Sequence, residues 1–322
     1  MAEQGYELDY ITDKLGIIEE LISGYSGNET IIRELLQNAQ DAGKNDKFIE
    51  FRLNQDRMIV RHNAAPFNES NWKSITRIAS RDKKKRLEQI GAFGIGFVSV
   101  YQITDHPEIR SGGQRLVLNP KEVKHHTEPI PDDGLTEFHF PYRGNNSEIG
   151  HEIGASPFGP ERIKKFLEIA GEEIYRSFLF LDTVKRVYVF RDDLLIAHVQ
   201  KEISYGQANG IPYQRLNILW ECKGQKKIGH EWIILHQEFQ RDLQLSVQKR
   251  NTISIAFNVS DPRSPIASGM LYNYLPAELL NTKLLFHINI ANQSLWIRVK
   301  KANGTGRLSP RLRNSLLNPS LY

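Results

Sequence analysis

The sequence predicts an α+β fold: a mixed sheet covered by helices, followed by a smaller strand-rich region. Three observations predict it. Helical and strand periods are interleaved over the first two thirds of the chain. From residue 206 to 290 nearly every apolar segment reads as a strand. The interleaving never settles into a regular βαβ alternation, which argues for layered α+β packing rather than a doubly wound parallel sheet. With 322 residues, 40% of them hydrophobic and 25% charged, the chain is long enough for a sizeable core. The organisation expected is a core over residues 1–145, a connecting helix and strands over 146–205, the strand-rich region over 206–290, and a basic, poorly patterned tail over 291–322.

The elements follow in order. "DYITDKLGIIEELISG" reads as a short amphipathic helix ended by Gly24, and "IIRELLQNAQDAG" as a second with its stop at Gly43. "KFIEFRLN" and "RMIVRHN" alternate as strands around the turn residues Gln55 and Asp56, a hairpin. "ESNWKSITRIAS" has helical period and precedes the charged run "RDKKKRLEQ". "FVSVYQIT" reads as a short helix, and "RLVLNP" and "LTEFHFPY" as strands. Residues 144–160 are rich in Gly, Asn, Ser and Pro and read as a long loop. A long helix, "ERIKKFLEIAGEEIYRSFLFL", leads to a hairpin turning at Asp192 and Asp193. "QRLNILWECKG", "HEWIILHQEF", "TISIAFNV", "GMLYNYLP" and "LLFHINI" are further strands.

Composition excludes several classes. A net charge of +4 demands no nucleic-acid partner. The single cysteine, Cys222, builds neither an internal disulfide nor a Cys/His zinc site. The first ten residues lack a basic and an apolar signal region, and no uncharged apolar run suits a membrane helix. A cytoplasmic, reducing-compartment protein with no membrane partner is expected.

Two motifs carry chemistry. Glu34, Asn38 and Asp41 follow at spacings of four and three, so on a helix they fall within about 60° of one another. Such a seam is either a solvated face or the floor of a site. A carboxylate and an amide one turn apart suit magnesium, which takes one or two protein oxygens beside phosphate and water. The carboxylate can also act as general base toward water. About 50 residues on, "GAFGIGF" places Gly91, Gly94 and Gly96 in the pattern G-x-x-G-x-G. It is neither the dinucleotide fingerprint nor a P-loop. Glycines before a helix are either a structural turn or a nest of backbone N–H groups aimed at an anion. Together the motifs suit one magnesium–nucleotide site.

These residues resemble the GHKL ATPases of the Bergerat fold. "ELLQNAQDA" is similar to their N-box, "GAFGIGF" to their second glycine box, and "GLTEFHFPY" to the late strand that closes the pocket. A narrower resemblance is to the sacsin-like branch of the heat-shock-protein-90-type domains. It is carried by "HNAAPFNESNW", "IGAFGIGFVSVYQITDHPEIRSGG" and "SIAFNV…GMLYNYLP…LLFHINI", over about residues 15–290. The resemblance implies a Bergerat two-layer sandwich with a second, transducer-like domain and ATP between helices and sheet. It implies Glu34 as catalytic base, Asn38 as magnesium ligand and Asp41 as pocket support. Gly91, Gly94, Ile95, Gly96 and Phe97 would wrap the phosphates, Thr136 would line the pocket, and residues 80–89 would form a lid.

The chain also departs from that family. Where its aspartate reads the adenine amino group, His62 stands here, followed by Asn63 and Ala64. A neutral imidazole or an amide can still bond a base edge, but a carboxylate acceptor is lost. No arginine or lysine of the second domain is assigned to the phosphates, "QKRN" with Lys249 and Arg250 being the nearest fit. The expected function is magnesium-dependent ATP binding and slow hydrolysis driving a conformational switch in a chaperone-like or partner-regulating protein. ATP and ADP, a client or partner protein and a homodimer are the partners implied. Two alternatives are a non-hydrolysing nucleotide-sensing scaffold and a nucleic-acid-processing protein. Against the latter stand the modest charge and the lack of a helix-turn-helix or zinc module.

Overall fold

In a computed structural model of the chain, the described residues are 13–24, 27–75, 96–122, 124–222, 228–239, 251–259, 269–273, 275–280 and 285–289. They form a mixed α+β fold on one large hydrogen-bonded sheet. Its strand order is β13-β12-β14-β11-β10-β9-β8-β7-β1-β2-β6-β3-β4-β5.

Helix α1 (Lys14–Ser23) starts where Asp13 accepts the N–H of Gly16 at 2.8 Å, a standard N-cap bond. Helix α2 (Glu29–Asp41) buries Ile31, Ile32, Leu35, Leu36 and Ala39 along one stripe, the spacing of a core-facing helix. Strands β1 (Lys47–Leu53) and β2 (Arg57–His62) form the expected antiparallel hairpin, closed by the N–H of Asn54 on the carbonyl of Arg57 at 2.9 Å. α3 is Glu69–Ile75, and a 3₁₀ helix spans Gly96–Gln102 where the sequence suggests a short helix. Strands β3 (Glu108–Ser111), β4 (Gln114–Val117) and β6 (Thr136–Pro141) carry the sheet outward, with β5 (Glu128–Pro129) at its edge. A short helix, α4 (Glu148–Glu152), lies inside the segment expected to be loop, because Ser147 caps it by accepting the N–H of Gly150 at 2.7 Å. Helix α5 (Pro160–Phe178) places its proline at the helix start, where the missing N–H costs nothing.

β7 (Val184–Arg191) pairs parallel to β1 and antiparallel to β8 (Leu194–Ala208). The β7–β8 turn takes Asp192 and Asp193 to φ 46° and 62°, the left-handed pair a two-residue hairpin turn requires. β8 is long enough to hand the sheet on. Its first half pairs with β7, and from Ala197 to Ala208 it pairs with β9 (Ile211–Cys222). The ladder continues through β10 (Ile228–Phe239), β11 (Asn251–Asn258) and β14 (Leu285–Asn289) to β12 (Gly269–Asn273) and β13 (Leu275–Leu280). "GMLYNYLP", read as one strand, is thus divided between β12 and β13.

Strand alternation sets the core. On β1 and β2 every second residue is buried, from Ile49, Phe51 and Leu53 to Met58 and Val60. These residues share one apolar cluster with α2, the 3₁₀ helix, Ile174 and Phe178 of α5, and Leu216, Trp232 and Ile234 farther along the sheet. Among the described residues, no helix is long and apolar enough to cross a membrane.

Candidate functional site

The acidic seam and the end of the glycine loop meet. A Cβ added at Gly96 would overlap the carboxylate of Glu34, so only glycine lets that carboxylate lie against the backbone there. Burial raises the Glu34 carboxyl to about 7, against the opposing charge of Arg33 and with help from Asp41. Arg33 itself is turned to α5, where Glu173 holds it through two bonds of 2.7 and 3.1 Å. Asn38, one turn from Glu34, is 8% exposed. Phe97 is buried against Phe138 and Phe140, with ring centres 5.8 and 6.2 Å apart.

Beyond the C-terminus of α2 lies a second polar group. Lys47, the first residue of β1, is fully buried. Its Nζ donates to the carbonyls of Gln40 at 2.7 Å and Ala42 at 2.6 Å. A cation on the last carbonyls of a helix satisfies them and complements the helix dipole. Burial holds this ammonium down to about 8, and the charge of Asp41 opposes that shift. Asp41 is thus electrostatically coupled to both Glu34 and Lys47.

His62 and Thr136 face each other directly across β2 and β6, both on the buried face. His62 Nδ1 accepts the N–H of Ala64 at 3.3 Å. Burial pushes its imidazole down to about 4, with the Lys47 charge acting in the same direction, so the ring is neutral at physiological pH. The Thr136 hydroxyl lies 2.6 Å from that of Ser111, which accepts the N–H of Phe67 at 2.9 Å. Asn63 is used differently. Its Oδ1 accepts the N–H of Phe48 at 2.9 Å, replacing a ladder bond where the β1–β2 pairing ends. Gly91, Gly94 and Ile95, the suggested lid at 80–89, Lys249, Arg250 and the tail at 291–322 lie outside the described residues.

Lys47 and Ser111 are site neighbours that motif reading misses; strand parity marks Lys47 in the sequence, whereas the four-residue β3 is too short to mark Ser111. Lys47 has the parity of Ile49, Phe51 and Leu53, and Ser111 that of Ile109. Arg143 is a third. Fully buried, it donates to Asp105 at 2.6 Å and to the carbonyls of Tyr101 at 2.6 Å and Thr104 at 3.0 Å. It thereby closes the end of the 3₁₀ helix that begins at Gly96. Its flanking residue, Tyr142, follows the strand β6, so no local period marks it.

The donor set bears on a metal. Among the described residues, no group of three or more His, Cys, Asp or Glu side chains could hold one. The amide of Asn38 and the carboxylate of Glu34 offer one or two oxygens, a set that fits magnesium carried in with phosphate oxygens and water.

Residues 12–135 match the Sacsin domain, a span that contains Glu34, Asn38, Asp41, His62 and Gly96 and ends one residue before Thr136. This region is sacsin-like. The chain is 34% identical to Sacsin of Homo sapiens over 121 residues, which are 33% of this chain and 3% of that protein. It is 36% identical to Protein NO VEIN of Arabidopsis thaliana over 93 residues, 28% of this chain and 3% of that protein. The matched span is thus a small part of either relative's length.

Proposed function

We propose that this chain binds a magnesium–nucleoside triphosphate, ATP by its GHKL resemblance, and hydrolyses it slowly to drive a conformational switch. The contact between Glu34 and Gly96 carries the reading, because it joins the acidic helix to the end of the glycine loop. Asn38 would hold the metal. Magnesium, when bound, neutralises phosphate charge and orients the terminal phosphoryl group. The backbone at Gly96 and Phe97 would meet the phosphates, and Glu34 would take the proton of the attacking water. A carboxyl whose pKa stands near 7 is matched to that task. The switch requires the nucleotide to favour one of two conformations, and its output is remodelling of a client protein or control of a partner.

The test is phosphate release by the full chain with and without magnesium. Magnesium-dependent turnover that falls by about 10²–10⁴-fold in Glu34→Ala, with nucleotide binding retained, is the expected result. Binding with no turnover in the wild type favours the non-hydrolysing sensor instead.

A further inference from the structure

We infer that the β8–β9 hairpin is an arm through which two copies of this chain associate, the free edge of β8 pairing antiparallel with the same edge of the second copy. Nothing in this pairing requires the nucleotide site.

The arm begins where the cover on the sheet ends. Ile203 and Leu216 are register partners, and Leu216 is buried. Past them exposure no longer alternates. Residues 207–212 are all exposed, so both faces of the ribbon stand in solvent. Tyr205 is 77% exposed and Ile211 50%. From Ile203 to Ala208 the ribbon runs about 17 Å. Its own bonds order it. Asn209 and Gly210 take φ 51° and 80°, a two-residue turn whose twist matches the strands it joins. Gln207 Nε2 donates to the carbonyl of Gly210 at 3.0 Å. The ring of Tyr213 lies across its register partner Gly206, where an added Cβ would strike it, so an aromatic side chain covers the strand glycine.

One edge of the arm is open. β7 accompanies β8 only as far as the pair Arg186–Gln200. From Lys201 to Ala208, β8 has β9 on one side and, among the described residues, no strand on the other. Such an edge offers N–H and C=O groups to a further strand, and proteins ordinarily guard it with charge, proline or a bulge. Here the β8–β9 register runs unbroken from Ala197 to Ala208, and β8 contains no proline. From Ile203 to Gln214 there is no Asp, Glu, Lys, Arg or His, in a chain that is 25% charged.

That neutrality selects a second copy as the occupant. When a strand pairs antiparallel with itself about a two-fold axis, residues near the axis face themselves or close neighbours of the same run. A charge there would oppose its own like, which destabilises the pair. An edge that met a foreign strand could carry charge for it to answer; an edge that meets itself cannot. With the axis at Tyr205, that ring faces its copy, Ser204 faces Gly206, Ile203 faces Gln207, and Glu202 falls opposite the neutral Ala208. The contact is small, so association in the micromolar range is expected.

Sedimentation equilibrium of the full chain, from low to high micromolar concentration, tests this. The wild type is expected to pass from monomer to dimer, and amides of residues 202–208 should exchange with solvent more slowly as concentration rises. Tyr205→Lys sets like charges on the axis and should weaken association about tenfold or more, with loss of that protection. Leu194→Lys, 49% exposed at the opposite end of β8, should leave both readouts unchanged, which separates edge pairing from general apolar association. A wild type that stays monomeric overturns the inference and leaves the edge to a strand of another protein. A dimer that Tyr205→Lys does not weaken, or that Leu194→Lys weakens as much, also overturns it.

Discussion

Glu34 and Glu108 are both drawn out of water, and they titrate in opposite directions. Glu108 sits on the outer face of β3. Burial alone would raise its carboxyl, but hydrogen bonds from Arg115 and Arg110 overcome that and hold it near 2. It belongs to a ladder that crosses the outer face, from Arg52 and Arg61 on Glu50, through Glu137, to Arg115 on Glu128. Glu34 lies on the helix side, where the nearby Arg33 guanidinium is already bonded to Glu173, and burial raises it to about 7. The same contrast runs residue by residue along single strands. Arg61 and Glu137 face outward and pair, while His62 and Thr136, each the next or preceding residue, face inward and are buried. A charge answered by its partner stabilises and is spent. A group left unanswered in a buried setting keeps its chemistry available.

The comparison breaks first at turnover. Glu34→Gln should lower turnover by about 10²–10⁴-fold, whereas Glu108→Gln should leave it within about twofold, measured by magnesium-dependent phosphate release. Equal losses in both variants would erase the distinction between the faces. Next in size is Lys47→Met, which strips the final carbonyls of α2 of a charged donor. A loss of about 2–3 kcal/mol in urea unfolding is expected.

Stability should respond to pH in opposite senses. Glu34 holds its proton more tightly folded than unfolded, so its contribution is present below its ordinary 4.5 and is lost as pH rises toward 7. Glu108 contributes above 4.5 and loses that contribution as pH falls toward 2. The change in unfolding free energy from pH 4.5 to 7 should therefore favour the folded state more in Glu34→Gln than in the wild type, where the Glu34 loss opposes the gain from His62. The smallest effect is Arg115→Ala. Its ion pairs are partly solvated, and a change within about 1 kcal/mol is expected from the same urea titration.

Much of this was legible in the chain. Period-two runs located β1, β2 and β6, because one face of each is core and the other charged. The Asp192–Asp193 turn was legible because few residues tolerate its left-handed backbone. β3 and β5 were missed, being four and two residues long, too short to show a period. The continuity of the sheet was not legible, because β8 pairs with β7 on one edge and β9 on the other, and pairing across strands leaves no local mark. In the site, the spacing of Glu34, Asn38 and Asp41 was visible as a helical seam. The Glu34–Gly96 contact, the Lys47 cap and the Phe67–Ser111–Thr136 chain join residues far apart in sequence, and only folding brings them together.

The central claim is a magnesium–nucleotide site on α2, and calorimetric titration of the full chain tests it most directly. Wild-type protein should bind ATP with magnesium, and Asn38→Ala should lose the magnesium-dependent part of that affinity while remaining folded. Affinity in Asn38→Ala that matches the wild type, with magnesium making no difference to either protein, would contradict the account.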